Sequence, residues 1–192
     1  IKRERSARKG KISVLVGGKY ENMRHRRNFL INLRKEDPEI RTNNMDKKEF
    51  VLKAVADKKA LIVDVSDKIF DYAEVGFHEF KTAKLYEEVL KKEGFQVEMG
   101  VGGMPTAFKA VYGSGKPVIG FLAEYDALPE LSQEGGCTMR KEAAGDNPDG
   151  HGCGHNLLGA GAMAAALAVK AYIEEHPEAG TVILFGCPSE EK

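Results

Sequence analysis

The chain has 192 residues, of which 42% are hydrophobic and 30% are charged. This length and composition are typical of one globular domain, and they exclude a large multidomain protein, a wholly disordered chain and a membrane protein. Because no stretch approaches the length of a membrane-spanning helix, we expect no membrane partner. Lys+Arg and Asp+Glu number 29 each, so the net charge of zero does not indicate the class of partner.

The charge is distributed unevenly along the chain. Residues 1–44 hold 13 basic and 5 acidic side chains, whereas residues 45–192 hold 16 and 24. The basic segment has only the run 12–16 as apolar material, so we expect a disordered extension followed by a domain that begins at residue 45. The alternative is an interaction or nucleic-acid-binding module that uses this arm. It is disfavoured because the arm lacks the interleaved aromatic residues that stack on bases.

The cysteines and the amino-terminal composition point to one compartment. The arm has neither the apolar run of a secretory signal nor the acid-poor composition of a transit peptide. Cys137, Cys153 and Cys187 are an odd number, which disfavours a disulfide framework. The sequence therefore predicts a reducing, cytoplasmic location.

From residue 45 onward, helix and strand patterns alternate along the chain. Apolar spacing predicts an amphipathic helix over 46–73 and a second helix over 79–93 that ends at Gly94. Alternating and continuous apolar runs predict four strands, over 95–98, 106–112, 118–123 and 181–185. A long loop over 128–154 precedes a helix over 157–173, for which Asn156 is the expected N-cap. This order predicts an α/β fold.

The end of the long loop reads Gly150-His-Gly-Cys-Gly-His-Asn156. In an extended segment residues i and i+2 project to one side, so Cys153 and His155 can converge on one ion. Thiolate and imidazole are preferred zinc ligands, and the following helix dipole should favour the Cys153 thiolate. The alternative is a glycine-rich helix entry with a buried structural cysteine.

Carboxylates follow two of the predicted strands. Glu190 and Glu191 come after the strand over 181–185, and Glu124 and Asp126 come at the end of the strand over 118–123. On an extended backbone adjacent side chains point in opposite directions, so one of Glu190 and Glu191 can ligate a metal while the other faces a water molecule. That division suits metal-assisted hydrolysis. The alternatives are a solvated acidic chain end and ordinary loop polarity.

Three segments in this order carry a resemblance to a known family: Ala123-Glu-Tyr-Asp-Ala-Leu-Pro129, Gly152-Cys-Gly-His-Asn156 and Pro188-Ser-Glu-Glu191. They resemble the metal-dependent amidohydrolase and metallopeptidase family of aminoacylase, hippurate hydrolase and carboxypeptidase G. They are most similar to its branch of aminobenzoyl-glutamate hydrolase B subunits and related dipeptidases. Ala73-Glu-Val-Gly-Phe77, with Glu79 and Thr82, resembles the family's first helical hairpin.

The resemblance implies a fold, an activity and roles for particular residues. The implied fold is a zinc-exopeptidase-like three-layer α/β/α domain with a mixed sheet, incomplete at its C-terminus. Cys153, His155 and Glu191 match metal ligands, Glu190 matches the general base, and Asp126 matches a catalytic carboxylate beside the metal. Glu124 falls where relatives that have a histidine use it as a ligand, so it is a candidate metal neighbour.

The implied activity is hydrolysis of the amide bond of an N-acyl amino acid or dipeptide, an aminobenzoyl-glutamate-like substrate, with two zinc or manganese ions in the complete enzyme. Family members have two further histidine ligands and an inserted lid domain that commonly forms a homodimer. Since neither follows Glu191 here, we expect an inactive fragment, covering residues 45–192 of the catalytic part. A structural zinc site with four closed ligands is a further alternative.

Overall fold

The computed structural model describes residues 13–14 and 46–192. The expectation that residues 1–44 form a disordered extension lies, apart from these two residues, outside the described part of the chain. It stays a prediction, as does the alternative that the basic arm binds nucleic acid.

Two helices occupy the segment for which one helix is predicted. Helix α1 spans Lys47–Asp57 and helix α2 spans Lys59–Tyr72, with Lys58 as the shared cap. Lys58 has φ −99° and ψ 5°, and its N–H bonds to the carbonyls of Val55 and Ala56. The prediction of a single helix over 46–73 is therefore wrong. Its apolar spacing continues across the break, so the hydrophobic pattern does not show it.

The other helices and strands that the sequence predicts lie within about three residues of their predicted positions. They are helix α3 at Phe80–Lys92, strand β2 at Gln96–Met99, strand β3 at Phe108–Gly113, strand β4 at Val118–Glu124, helix α4 at His155–Glu175 and strand β5 at Thr181–Cys187. The prediction that Asn156 is the N-cap of the last helix is wrong. Helix α4 begins at His155 behind Gly154 at φ +84°, and the side chain of Asn156 instead donates to Ser66 Oγ at 3.2 Å.

The strands form one mixed sheet in the order β1-β4-β5-β3-β2, in which β1 is the two-residue strand Ser13–Val14. Strands β1, β4 and β5 are parallel to one another, while β3 is antiparallel to both β5 and β2. The predicted α/β class with a mixed sheet is confirmed. The parallel pair β4–β5 matters most for function, because its carboxyl end carries the acidic segments.

A single buried cluster joins helices α2, α3 and α4 to one face of the sheet. Its larger members are Val65, Ile69, Tyr86, Leu90, Phe108, Tyr125, Met163, Leu167, Val182 and Leu184. Along β5 these residues alternate with Ile183 and Phe185, which are only partly buried on the opposite face. The described residues thus supply the sheet and one helical layer of the expected three-layer arrangement.

Helix α4 is long and apolar enough, by length and composition alone, to cross a membrane. The expectation that no stretch approaches this length is therefore wrong. Half of the apolar window is buried within the domain, and Met163, Leu167 and Ile173 belong to the core cluster. This packing is that of a core helix, whose alanine-rich surface allows it to lie close to the sheet.

Candidate metal and catalytic site

The predicted site residues lie at the carboxyl ends of β4 and β5, beside the first turn of α4. In the β4–β5 register Ala123 pairs with Gly186 and Glu124 pairs with Cys187. The segments that leave these two strands therefore run side by side, and they bring Glu124 and Asp126 close to Glu190 and Glu191. Ligand sites of open α/β sheets form at such an edge.

Helix α4 reaches this edge because of one glycine. A Cβ placed on Gly159 would lie 2.5 Å from the carbonyl oxygen of Glu124 and 2.5 Å from the hydroxyl of Tyr86. No larger residue fits without a shift of backbone or of a buried ring. This close approach places His155, one turn earlier in the helix, directly against the end of β4.

His155 and Asp126 form the buried part of the site, each only 2% exposed. Nδ1 of His155 lies 2.9 Å from Oδ1 of Asp126, and Oδ2 of Asp126 accepts a hydrogen bond of 3.1 Å from the backbone N–H of Glu191. Since an ionised carboxylate only accepts, Nδ1 is the donor and carries the imidazole proton. This bond fixes the tautomer and leaves Nε2 free to bind an ion.

Three carboxylates surround Nε2 of His155. The nearest oxygens belong to Glu124 at 3.6 Å, Glu190 at 3.7 Å and Glu191 at 3.8 Å. Glu190 and Glu191 lie in a turn rather than on extended backbone. The expectation that their carboxylates point in opposite directions is therefore wrong, because both approach the same imidazole nitrogen.

Two sets of ligand atoms converge within 4.8 Å of one another. One consists of Cys153, His155 and Glu191, and the other of Glu124, His155 and Glu190. Both sets need His155, whose Nε2 has a single lone pair, so one ion at a time can use it. Thiolate, imidazole and carboxylate are the donors that zinc prefers, and the chemistry of the donor set fits such an ion.

The charge balance of the cluster also fits a cation. No lysine or arginine among the described residues forms an ion pair with Glu124, Glu190 or Glu191. Burial, followed by the nearby charge of Glu190, raises the pKa of Glu124 above its usual value. A divalent cation would remove this repulsion between like charges.

Cys153 is exposed, which disagrees with the alternative of a buried structural cysteine. The adjacent Glu191 carboxylate, followed by partial desolvation and the charges of Glu190 and Glu124, raises the pKa of the Cys153 thiol. The sequence predicts the opposite direction, from the dipole of α4. Three carboxylates gather at this helix terminus, and each of them disfavours the thiolate.

Two side chains outside the predicted ligands and catalytic residues support the site, and the sequence indicates only that His151 is a loop neighbour of it. Nε2 of His151 donates to the carbonyl of Ile69 at 3.0 Å, which ties the loop before Cys153 to α2. Glu79 is fully buried and accepts a hydrogen bond of 2.8 Å from the backbone N–H of Ser189. The family resemblance marks Glu79, but only the fold places it next to Ser189.

The segment that carries these residues is similar to known proteins. Residues 120–192, which contain every predicted site residue, match the sequence profile of peptidase family M20/M25/M40. The B subunit of p-aminobenzoyl-glutamate hydrolase from Escherichia coli is 46% identical over 143 residues, covering 74% of this chain and 29% of that protein. The Xaa-Arg dipeptidase of Mus musculus is 37% identical over 98 residues, which cover 46% of this chain and 19% of that protein. The hippurate hydrolase of Campylobacter jejuni is 32% identical over 129 residues, which cover 66% of this chain and 31% of that protein.

This chain therefore spans about a third or less of the length of these relatives. A solved structure described as an aminohydrolase from methicillin-resistant Staphylococcus aureus superposes with a TM-score of 0.58 at 26% identity, covering 75% of this chain and 36% of that one. A Bacillus subtilis protein described as a dinuclear metal binding peptidase from the M20 family superposes with a TM-score of 0.53, covering 77% and 37%. At 23% identity this second likeness concerns the fold alone. The family resemblance is thereby confirmed: residues 120–192 match the sequence profile of peptidase family M20/M25/M40, and the described residues share their fold with part of a solved M20 peptidase.

Proposed function

We propose that the chain supplies part of the catalytic centre of a metal-dependent hydrolase that cleaves the amide bond of an N-acyl amino acid or dipeptide. The observation that carries this proposal is the convergence of Cys153, His155 and Glu191 at one edge of the sheet. An aminobenzoyl-glutamate-like compound is the substrate we favour, because the E. coli relative at 46% identity is named for hydrolysis of p-aminobenzoyl-glutamate.

In this proposal Cys153, His155 and Glu191 hold one divalent ion, zinc or manganese. Glu124, whose carboxylate belongs to the second set of converging ligand atoms, is a candidate ligand of a second ion, which the family resemblance implies for the complete enzyme. When bound, such an ion lowers the pKa of water and polarises a carbonyl group. Asp126 keeps the Nδ1 proton on His155, so that Nε2 stays available as a donor to the ion.

Glu190 is the proposed general base. Its side chain is 50% exposed, against 28% for Glu191 and 25% for Glu124, so it is the carboxylate most open to an arriving water molecule. A carboxylate in that position can take a proton from water and pass it to the leaving amine. Because it needs no bond to the ion for this role, its charge can be removed without removal of a ligand.

A structural zinc site is the weaker interpretation. Structural sites close four protein ligands around the ion, whereas a catalytic site keeps a position open. Cys153, Glu190 and Glu191 are all exposed, which supports an open site. We also propose a cytoplasmic location, based on the three free cysteines, and homodimer formation only by a protein that includes the lid domain.

Turnover of p-aminobenzoyl-glutamate in the presence of zinc or manganese tests the proposal. The 192-residue chain has no histidine after Glu191, so we expect no turnover above background from it. A version extended through the lid and the two further histidines should turn over, and Glu190→Gln in that version should lower the rate by about 10² to 10⁴. Absence of metal-dependent turnover in the extended protein, or full activity of its Glu190→Gln variant, would refute the proposal.

A further inference from the structure

Glu79 lies outside the cluster around His155, yet its side chain is entirely buried. Oε2 accepts a hydrogen bond of 3.0 Å from Thr106 Oγ1, and Oε1 accepts the 2.8 Å bond from the Ser189 N–H. Among the described ion pairs none includes Glu79. Burial of a carboxylate without a cation costs free energy of folding. The side chain is therefore stable only in a position where its hydrogen bonds are made.

The partner of Glu79, Ser189, has an unusual backbone conformation. Its φ is +59°, in the left-handed region that residues with a Cβ rarely adopt. Gly76 packs against it so closely that a Cβ there would lie 2.6 Å from Ser189 Oγ. Such a conformation persists only where the surroundings hold it in place. The bond to Glu79 is the one hydrogen bond that the described residues provide to the Ser189 N–H.

Two buried carboxylates thus hold the backbone on both sides of Glu190. Glu79 holds the N–H of Ser189, the residue before it, and Asp126 holds the N–H of Glu191, the residue after it. With these two peptide groups fixed, the carboxylates of Glu190 and Glu191 both face Nε2 of His155.

We propose that Glu79 is a positioning residue: its buried carboxylate fixes the left-handed conformation of Ser189 and thereby aims Glu190 and Glu191 at the metal. It does not ligate the ion, since both of its oxygens are engaged elsewhere. This inference rests on the proposed function. It adds that the metal site depends on a side chain from the turn before α3, more than 100 residues away in sequence.

Glu74 offers a matched control in the same helical hairpin. Its Oε1 accepts from the Lys81 N–H at 2.9 Å, and its Oε2 accepts from the Thr82 N–H at 2.9 Å. It stabilises the start of α3 and has no described hydrogen bond to the segment 188–192. A general loss of stability should follow from either substitution, whereas a loss of site geometry should follow only at Glu79.

The first measurement is zinc affinity of the 192-residue chain, by competition with a chromophoric chelator. We expect Glu79→Ala to bind zinc about 10- to 100-fold more weakly than the unsubstituted chain, the usual effect of removing a group that orients a ligand. Glu79→Gln should restore much of this loss, because its amide oxygen can still accept from Ser189. Glu74→Ala should bind zinc as the unsubstituted chain does, although it unfolds at a lower temperature.

The second measurement needs no metal. In Glu79→Ala the amide proton of Ser189 should exchange with solvent faster, and the NMR signals of residues 189–191 should shift, while Glu74→Ala leaves them in place. If Glu79→Ala does not fold, the Glu79→Gln variant tests the role of Glu79 instead. Loss of the charged acceptor should then move the NMR signal of the Ser189 amide proton upfield. If the unsubstituted chain binds no zinc, the proposed function fails, and these amide signals still decide the role of Glu79.

Unchanged amide signals and unchanged zinc affinity in the Glu79 variants would overturn the inference. An equal loss of zinc affinity in Glu74→Ala would also overturn it, since the effect would then be one of overall stability.

Discussion

Asp126 accepts a hydrogen bond of 2.9 Å from Nδ1 of His155, and both side chains are almost completely buried. The second oxygen of Asp126 is used as well, by the N–H of Glu191. One carboxylate therefore fixes the imidazole tautomer and the backbone of Glu191, a second candidate ligand. This double role makes Asp126 the connection between the two segments of the site.

Replacement of Asp126 by asparagine should weaken zinc binding by about 10- to 100-fold. An asparagine side chain has a single carbonyl oxygen, so it can accept from His155 or from Glu191 but not from both. Zinc affinity measured against a chelator tests this. Asp64→Asn, which alters an exposed carboxylate paired with Lys68, is the control and should have no effect. Wild-type affinity in Asp126→Asn would contradict the role given to Asp126.

The two adjacent glutamates should differ in their effect on the metal. Glu191→Gln replaces an anionic oxygen of the Cys153–His155–Glu191 set with a neutral one, so zinc affinity should fall by at least about tenfold. Glu190→Gln should retain zinc, because Glu190 is the proposed base rather than a ligand of that ion. Isothermal titration with zinc distinguishes the two, and Glu178→Gln at an exposed position is the control. Equal loss of zinc from both variants would show that the two roles cannot be separated.

Zinc binding should release the thiol proton of Cys153. The neighbouring Glu191 carboxylate raises the pKa of Cys153, so the metal-free protein keeps this proton at neutral pH. A zinc ligand must be a thiolate, and affinity should therefore rise as the pH increases toward the thiol pKa. Cys153→Ser should release about one proton fewer per zinc ion, as calorimetry in buffers of different ionisation enthalpy would report. Cys137→Ser is the matched control, and proton release unchanged in Cys153→Ser would contradict this prediction.

Two glycines of α4 should respond to alanine in opposite directions. Gly159→Ala places a methyl group against the carbonyl of Glu124 and the hydroxyl of Tyr86, and it should destabilise the fold by about 1–3 kcal/mol. A methyl group on Gly161 would meet nothing within 4 Å beyond its own helix, so Gly161→Ala should stabilise the helix by about 0.5–1 kcal/mol. Urea unfolding of both variants measures the difference. Equal stability of the two variants would mean that α4 does not lie against the end of β4 as described.

The sequence predicts the elements that are continuous in pattern, and it fails where a single residue changes the geometry. The strands and helix α3 follow from apolar periodicity and from Gly94. The break at Lys58 does not, because the hydrophobic spacing of α1 continues into α2. Asn156 is a residue type that often forms an N-cap, but Gly154, with its left-handed φ, is the N-cap of α4. The side chain of Asn156 donates to Ser66 instead.

The candidate site residues can be proposed from the sequence, while the orientation of their side chains cannot. Cys153, His155, Glu190 and Glu191 stand in segments that resemble a known family, so their convergence could be expected. The left-handed Ser189 turns both glutamates toward His155, and no local pattern marks that conformation. Glu79 fixes it from a distant segment, a relationship that only the packed fold creates.

Titration of the chain with Co²⁺, followed by absorption spectroscopy, is the decisive experiment for the metal site, because a thiolate ligand gives cobalt an intense near-ultraviolet charge-transfer band. We predict that this band appears in the unsubstituted chain, persists in Cys137→Ser, and disappears in Cys153→Ser. Absence of the band in the unsubstituted chain, or its persistence in Cys153→Ser, would contradict a metal site built on Cys153, His155 and Glu191.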